Sequence, residues 1–467
     1  MCDLYVMRPT LKSLSGKRLH FIGIGGAGMS GLARIALSHS IEVTGSDLKS
    51  SSVIKALQAL GASISTTHTG ENVIGADLVV YSTAIPANNP ELLMARDLGI
   101  NSITRAAVLS ILMSESISIA VAGTHGKTTT SSMLAVALQA CGADPSFAIG
   151  GTITASGSNA HRGAGAIFVA EADESDGSFI EYRPFAAIVT NIEHDHVDFF
   201  ATPAAVEAAF GDFAATINQN GFLIYCADDA GAKSLAKSMA SLNCISYGVS
   251  EESDLILDQI ELLAMGSHAR AIWQGRRIGF IELHVPGHHN LLNAAAVLAT
   301  GLQLGFTAPD LLNGLAVFRG TSRRFELIGT VHGIRVIDDY GHHPTEIEVT
   351  LSAARRYAGD GRLIVIFQPH RYSRTAAFAQ GFAQKLSKAD RTIVLEIYAA
   401  SEKPIAGVTS QVISDLMDNG EYIPNFIEVA DSVVECAAPG DVIITLGAGD
   451  VSSLAPIIVD GLIRRFG

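Results

Sequence analysis

The chain has 467 residues, enough to bury several ordinary cores without disulfides, and at roughly 150 residues per domain it should hold about three domains. Its 32 basic and 46 acidic residues leave a net charge of -14. That balance argues against nucleic-acid and anionic-membrane partners, which reward clustered Lys and Arg, yet leaves room for one basic pocket around an anionic small molecule.

The five cysteines, Cys2, Cys141, Cys226, Cys244 and Cys436, show neither zinc-ligand nor redox spacing and read as incidental thiols of a reducing compartment. Met1 to Thr10 carries Asp3 early and lacks the apolar core of a signal peptide. No run reaches the ~20 apolar residues of a membrane span. The expectation is a cytoplasmic protein.

Short Val/Ile-rich runs ending in Gly, Asp or Thr alternate with helical segments along the chain. RLHFIGIGG, IEVTGSD and ADLVVYS come first, then SIAVAGTHG, AIFVAEADE and AAIVTNIE, then RLIVIFQPH, RTIVLEIY and DVIITLGAG. Apolar runs without polar alternation suit parallel strands covered on both faces, so the pattern predicts an α/β fold. Three blocks emerge, residues 1–116, 117–318 and 319–467. The second contains a less regular stretch from about Asp228 to Gly279 and a long helix from near Asn290. The third opens with FELIGTVHGIRVIDDYG, which alternates like antiparallel strands.

After the strand RLHFI, Gly23, Gly25 and Gly28 fit Gly-x-Gly-x-x-Gly, and Asp47 ends the next strand where a ribose-binding acid is expected. Glycines let a diphosphate approach the backbone at a helix N-terminus. The motif alone leaves NAD(P), another nucleotide diphosphate and a tight turn without ligand all open.

The second loop is more specific. The strand Ser118–Gly123 runs into Thr124, His125, Gly126, Lys127, Thr128 and Thr129 at a helix start. Lys127 can neutralise β/γ-phosphate charge, the Thr128 hydroxyl can ligate Mg²⁺, and the loop N–H groups can cradle phosphate. Only two residues separate Gly123 from Gly126, which points to a family with a shortened phosphate loop. Downstream, Glu171, Asp173, Glu174 and Asp176 crowd one strand end, a repulsion that cations would relieve. Glu193, His194, Asp195, His196 and Asp198 follow the next strand. His194 and His196 alternate along an extended chain, so a joint zinc site is not expected.

With these residues in view the chain resembles the Mur ligase family over nearly its whole length. The matching segments are GIGGAGMSGLA, AGTHGKTTT, EADESDGSF, NIEHDHVD, PGHHNLLNAAA, GTSRRFE, DDYGHHPTEI, FQPHRYSRT and GAGD, in that order. GIGGAGMSGLA and FQPHRYSRT point to the member that adds the first amino acid. The residues ending in MRP match no motif and read as an extension.

The resemblance implies a Rossmann-like UDP-sugar domain, a central P-loop ATPase with a mainly parallel sheet, and a Rossmann-like domain that closes over the amino acid. It implies UDP-N-acetylmuramate, L-alanine and ATP as substrates, with Mg²⁺, two ions, as cofactor. The first glycine loop would then hold the UDP diphosphate through Gly25, Gly26, Ala27, Gly28 and Met29, with His68, Ser82 and Thr83 near the sugar nucleotide and Asp47 without an assigned role. Gly123 to Thr129 would hold ATP, with His289, Asn293 and Arg324 also in contact. One Mg²⁺ would sit on Thr128 and a second on Glu171 and His196. Tyr340, His342, His370, Arg371 and Arg374 would approach L-alanine, with Arg374 on its carboxylate. Lys127, Glu171, His196, His342 and Arg374 are the expected catalytic set. An NAD oxidoreductase leaves Lys127 and EADESD without work, and a P-loop switch leaves the first loop and FQPHRYSRT unexplained.

Overall fold

The computed structural model describes residues 10–467, so the extension ending in MRP lies outside the described residues. Three sheets divide the chain. The first is a five-stranded parallel sheet, in spatial order Ser63–Ser65, Glu42–Ser46, Arg18–Ile22, Leu78–Tyr81 and Asn101–Thr104. Its order reverses beside Arg18–Ile22, which puts the first glycine loop at the crevice where open α/β sheets bind ligands.

The second sheet has ten strands. Ile117–Ala122 lies between Ala186–Val189 and Ile167–Glu171, all parallel. This neighbourhood brings the second glycine loop and both acidic runs to one strand-end edge. The helix Lys127–Ala140 then packs back on the sheet, with Met133, Leu134 and Leu138 fully buried.

The stretch from Asp228 to Gly279 is more regular than its composition suggests. It forms a helix, Ala230–Ser238, the parallel strand Asn243–Gly248, and an antiparallel meander of Leu255–Leu263, Gly266–Trp273 and Arg276–Leu283. The outward positions of these strands are polar, which disguised them as loop, while Leu255, Leu257, Ala269, Ala271 and Ile281 point into the core.

The third sheet has six strands and opens with the antiparallel pair Glu326–Val331 and Ile334–Asp339, followed by parallel strands. Its centre, Leu363–Phe367 and Val442–Leu446, is buried at every position, as unalternated apolar runs require. The molecule is therefore a three-domain α/β chain.

Candidate active site

The strand ends of all three domains line one cleft of about 770 Å³. In its centre is the second glycine loop. Gly123 has φ 131°, and a side chain there would meet Thr190 Oγ1 at 2.0 Å. Gly126 has φ 83°, caps the helix Lys127–Ala140, and leaves only 2.9 Å for a Cβ against Asn293 Oδ1. Asn293 thus braces the loop from the helix His288–Gln303. Lys127 Nζ donates to the carbonyls of Gly123 at 2.7 Å and Thr124 at 3.1 Å and to Glu174 Oε1 at 3.0 Å. Burial opposes its charge, but Glu174, Asp173 and Glu171 prevail and hold its pKa above the usual lysine value.

Thr128 Oγ1 donates to Glu171 Oε1 at 2.9 Å, and Gly150 N–H donates to the other oxygen at 2.7 Å. Burial pushes the Glu171 carboxyl upward. His196, at φ 52°, turns Nε2 to within 3.3 Å of Glu174 Oε1. Asp173, Glu174 and His196 bring ligand atoms within 4.8 Å of one another, a spacing that could hold a divalent cation between two carboxylates and one imidazole. Glu171 stands outside that group, turned to Thr128 instead of sharing a site with His196. His194 points elsewhere, with Nε2 3.0 Å from the Phe200 carbonyl.

In the first loop, Gly26, Ala27, Gly28 and Met29 line the cleft, and Ala27 to Met29 form the first turn of the helix Ala27–Ser38. Gly25 does not line it. Its N–H donates to Asp47 Oδ2 at 2.9 Å, so Asp47 fixes the loop and Gly25 has no free donor. Ser82 and Thr83 line the cleft, and Thr83 donates to Asp176 across the domain boundary at 2.8 Å. His68 is set apart from the cleft lining. Its Nδ1 lies 2.8 Å from Glu91 Oε2 and 2.9 Å from Ser46 Oγ, in a buried cluster with His20 and Asn72.

From the C-terminal domain, Arg324, Tyr340, His342, His370, Arg371 and Arg374 reach the cleft. Arg324 lies over the Tyr340 ring at 4.9 Å. Burial keeps His342 and His370 neutral, at about 3 and about 4, with Arg374 adding to the effect. Arg371 pairs with Asp198. The Arg374 fork, expected free for an amino-acid carboxylate, grips buried Asp195 through Nη2 at 3.0 Å and Nε at 3.1 Å. Despite burial, Arg374 holds the Asp195 carboxyl far below the usual range.

Several expected nucleotide residues lie behind the cleft surface. Thr129 is the third residue of its helix and is not among the residues that line the cleft. His289 packs against Gly287, and burial depresses its pKa to about 4. His125 sets Nε2 3.0 Å from Glu193 and Nδ1 3.2 Å from Glu346. With both ring nitrogens facing carboxylates it is charged, and its pKa rises to about 9 although burial works against it.

Residues that sequence reasoning missed include Glu346 and Arg105. Glu346 accepts from the N–H groups of His342 and His343 at 2.9 and 3.3 Å, closing a capping box at the helix Pro344–Ala358. The His343-x-x-Glu346 spacing was the available signal. Arg105 lines the cleft with no motif to announce it.

Models of the same family match all three parts of the chain. One described as the Mur ligase family catalytic domain covers residues 18–116, the Mur ligase middle domain covers 121–301, and the Mur ligase glutamate ligase domain covers 323–449. The UDP-N-acetylmuramate–L-alanine ligase of Renibacterium salmoninarum is 49% identical over 95% of this chain and 96% of its own. That of Paenarthrobacter aurescens is 48% identical over 95% and 97%. The crystal structure of the UDP-N-acetylmuramate–alanine ligase of Thermotoga maritima superimposes with a TM-score of 0.82 at 28% identity, covering 96% of this chain and 100% of that one. A murein peptide ligase of Psychrobacter arcticus gives 0.72 at 26% identity over 96% and 99%. With three models in chain order and relatives nearly half identical along 95% of its length, the chain belongs to the Mur ligase family.

Proposed function

We propose that this chain is an ATP-dependent ligase. It joins the lactyl carboxylate of UDP-N-acetylmuramate to L-alanine through an acyl phosphate, releases ADP and phosphate, and performs the first amino-acid addition in peptidoglycan precursor synthesis. One observation carries the reading: two glycine loops from different domains and the Arg/His-rich loop of a third share one cleft. The ligases it resembles at 48–49% identity bear this activity in their names.

In this reading residues 1–116 bind the sugar nucleotide, 117–318 bind ATP, and 319–467 bind the amino acid. The first helix turn at Ala27 to Met29 offers N–H donors to the diphosphate. Lys127 exchanges Glu174 for the ATP phosphates, since phosphoryl transfer needs charge neutralisation and positioning more than covalent protein chemistry. Thr128 and Glu171 would hold one Mg²⁺, and His196 with Asp173 and Glu174 a second. Bound there, Mg²⁺ supplies positive charge that lets an anionic carboxylate approach the γ-phosphate. Neutral His342 and His370 leave the alanine amine free of a neighbouring imidazolium, which favours its unprotonated, attacking form. Among the described residues no helix is long and apolar enough to cross a membrane, and a cytoplasmic site of action fits the thiols.

Phosphate release from ATP, measured with UDP-N-acetylmuramate and each amino acid in turn, tests the proposal. Turnover should require ATP, Mg²⁺, the sugar nucleotide and L-alanine together. Appearance of AMP and pyrophosphate would overturn the acyl-phosphate route.

A further inference from the structure

Among the described residues six Lys and Arg side chains line the cleft, and five are already matched. Lys127 has Glu174 at 2.9 Å, Arg323 has Asp338 at 3.2 Å, Arg324 has Glu346 at 3.7 Å, Arg371 has Asp198, and Arg374 has Asp195 at 3.0 Å. The sixth, Arg105, has no carboxylate oxygen within 4.0 Å among the described residues.

Arg105 opens the helix Arg105–Met113, directly after the edge strand Asn101–Thr104 of the first sheet. Its stem runs along the first glycine loop. A Cβ on Gly28 would lie 3.0 Å from its Cδ and 3.3 Å from its Nη1. The Arg105 side chain thus packs directly against Gly28, beside the turn that opens the helix Ala27–Ser38. The Tyr182 hydroxyl is the group that acts most strongly on the guanidinium, and Asp173 and Asp176, on the opposite wall, attract it without meeting it, so its charge has no carboxylate counterpart. A partly buried fork without a matched carboxylate, at a turn of free N–H groups, is complementary to an anion with several oxygens.

We propose that Arg105 is a substrate-binding residue that grips the diphosphate of the sugar nucleotide from the side facing the central domain. The proposal rests on the reading that the first loop takes that diphosphate, and it adds a side-chain ligand to a site otherwise built of backbone. Placed between the loop and Asp173 and Asp176, Arg105 also ties the presence of the sugar nucleotide to the wall that carries the metal-binding group.

Calorimetry with UDP and with uridine, on the wild type, Arg105→Ala and Arg105→Lys, tests it. The wild type should prefer UDP to uridine. Arg105→Ala should lose about 10- to 100-fold in UDP affinity, the range for one hydrogen-bonded charge, with uridine and ADP affinities unchanged. Arg105→Lys should recover part of the loss, because a point charge replaces the fork. A wild type with no preference for UDP would overturn the first-loop reading itself. A preference that survives in Arg105→Ala would overturn the proposal alone. So would a loss seen for UDP-N-acetylmuramate but not for UDP, which would move Arg105 to the lactyl carboxylate. Should Arg105→Ala not fold, as a lost ADP affinity would reveal, the Lys variant decides by the same UDP-to-uridine ratio.

Discussion

Arg374 is expected from the sequence to hold the amino-acid carboxylate, and in the structure its guanidinium holds Asp195. Its side chain is 4% exposed and that of Asp195 3%, so the pair is a buried ion pair between the C-terminal and central domains. Removing one partner of such a pair leaves an uncompensated charge and costs about 3–5 kcal/mol. Arg374→Ala should therefore lower the thermal midpoint and disturb all three substrates. The double variant Arg374→Ala/Asp195→Ala separates the two roles. It should regain much of the stability, because no charge is stranded. The KM for L-alanine should stay about tenfold to a hundredfold high, the worth of a hydrogen bond to a charged group. Steady-state kinetics on both variants checks this. If alanine KM returned to the wild-type value in the double variant, Arg374 would be a structural residue only.

At the level of elements, the strand-loop-helix units were legible because burial on both faces demands long apolar runs and because glycine-rich turns have few physical uses. The strand Ile117–Ala122 and the helix Lys127–Ala140 stand where the motif put them. The meander over Leu255–Leu283 was not legible, since one wet face breaks the apolar run and its partners are set by pairing rather than by local composition. Which side chains meet across domains was equally hidden: nothing near Arg374 in the sequence announces Asp195, 179 residues away. Asp47 shows a third kind of gap, for its spacing suggested a ribose ligand and its geometry makes it a loop anchor. Its Oδ2 accepts from Gly25 N–H and its Oδ1 from Lys49 N–H at 3.0 Å. Asp47→Ala should loosen the turn and raise the KM for the sugar nucleotide severalfold, the worth of about 1 kcal/mol, while ATP and alanine constants hold. Asp47→Asn, which keeps an acceptor oxygen, should stay near wild type. Equal effects of the two substitutions would restore a direct role for the carboxylate charge.

Across the whole molecule, the central and C-terminal domains are joined by charge. His125 of the phosphate loop lies between Glu193 of its own domain and Glu346 of the neighbouring one, with Thr345 Oγ1 donating to Glu193 at 2.8 Å. Arg324, His342 and His343 also face this cluster from the C-terminal side. Burial works against the His125 charge, but the two carboxylates raise its pKa from 6.5 to about 9. A group whose pKa is raised by folding stabilises most fully below its unfolded pKa and loses that contribution as pH rises through the folded one. The His125 contribution is thus complete below 6.5 and gone above about 9. Glu193 and Glu346 are held below 4.5, so their contribution is present above that value and fails as pH falls. The window between is where the domain contact is strongest. A rise of this size corresponds to about 3 kcal/mol. His125→Gln should therefore melt well below the wild type near neutral pH, and the difference between the two midpoints should shrink steadily as pH is raised past the His125 value. Subtracting one melting curve from the other cancels the groups that titrate alike in both. A difference that stayed constant from neutral to alkaline pH would show that His125 contributes through packing and not through its charge.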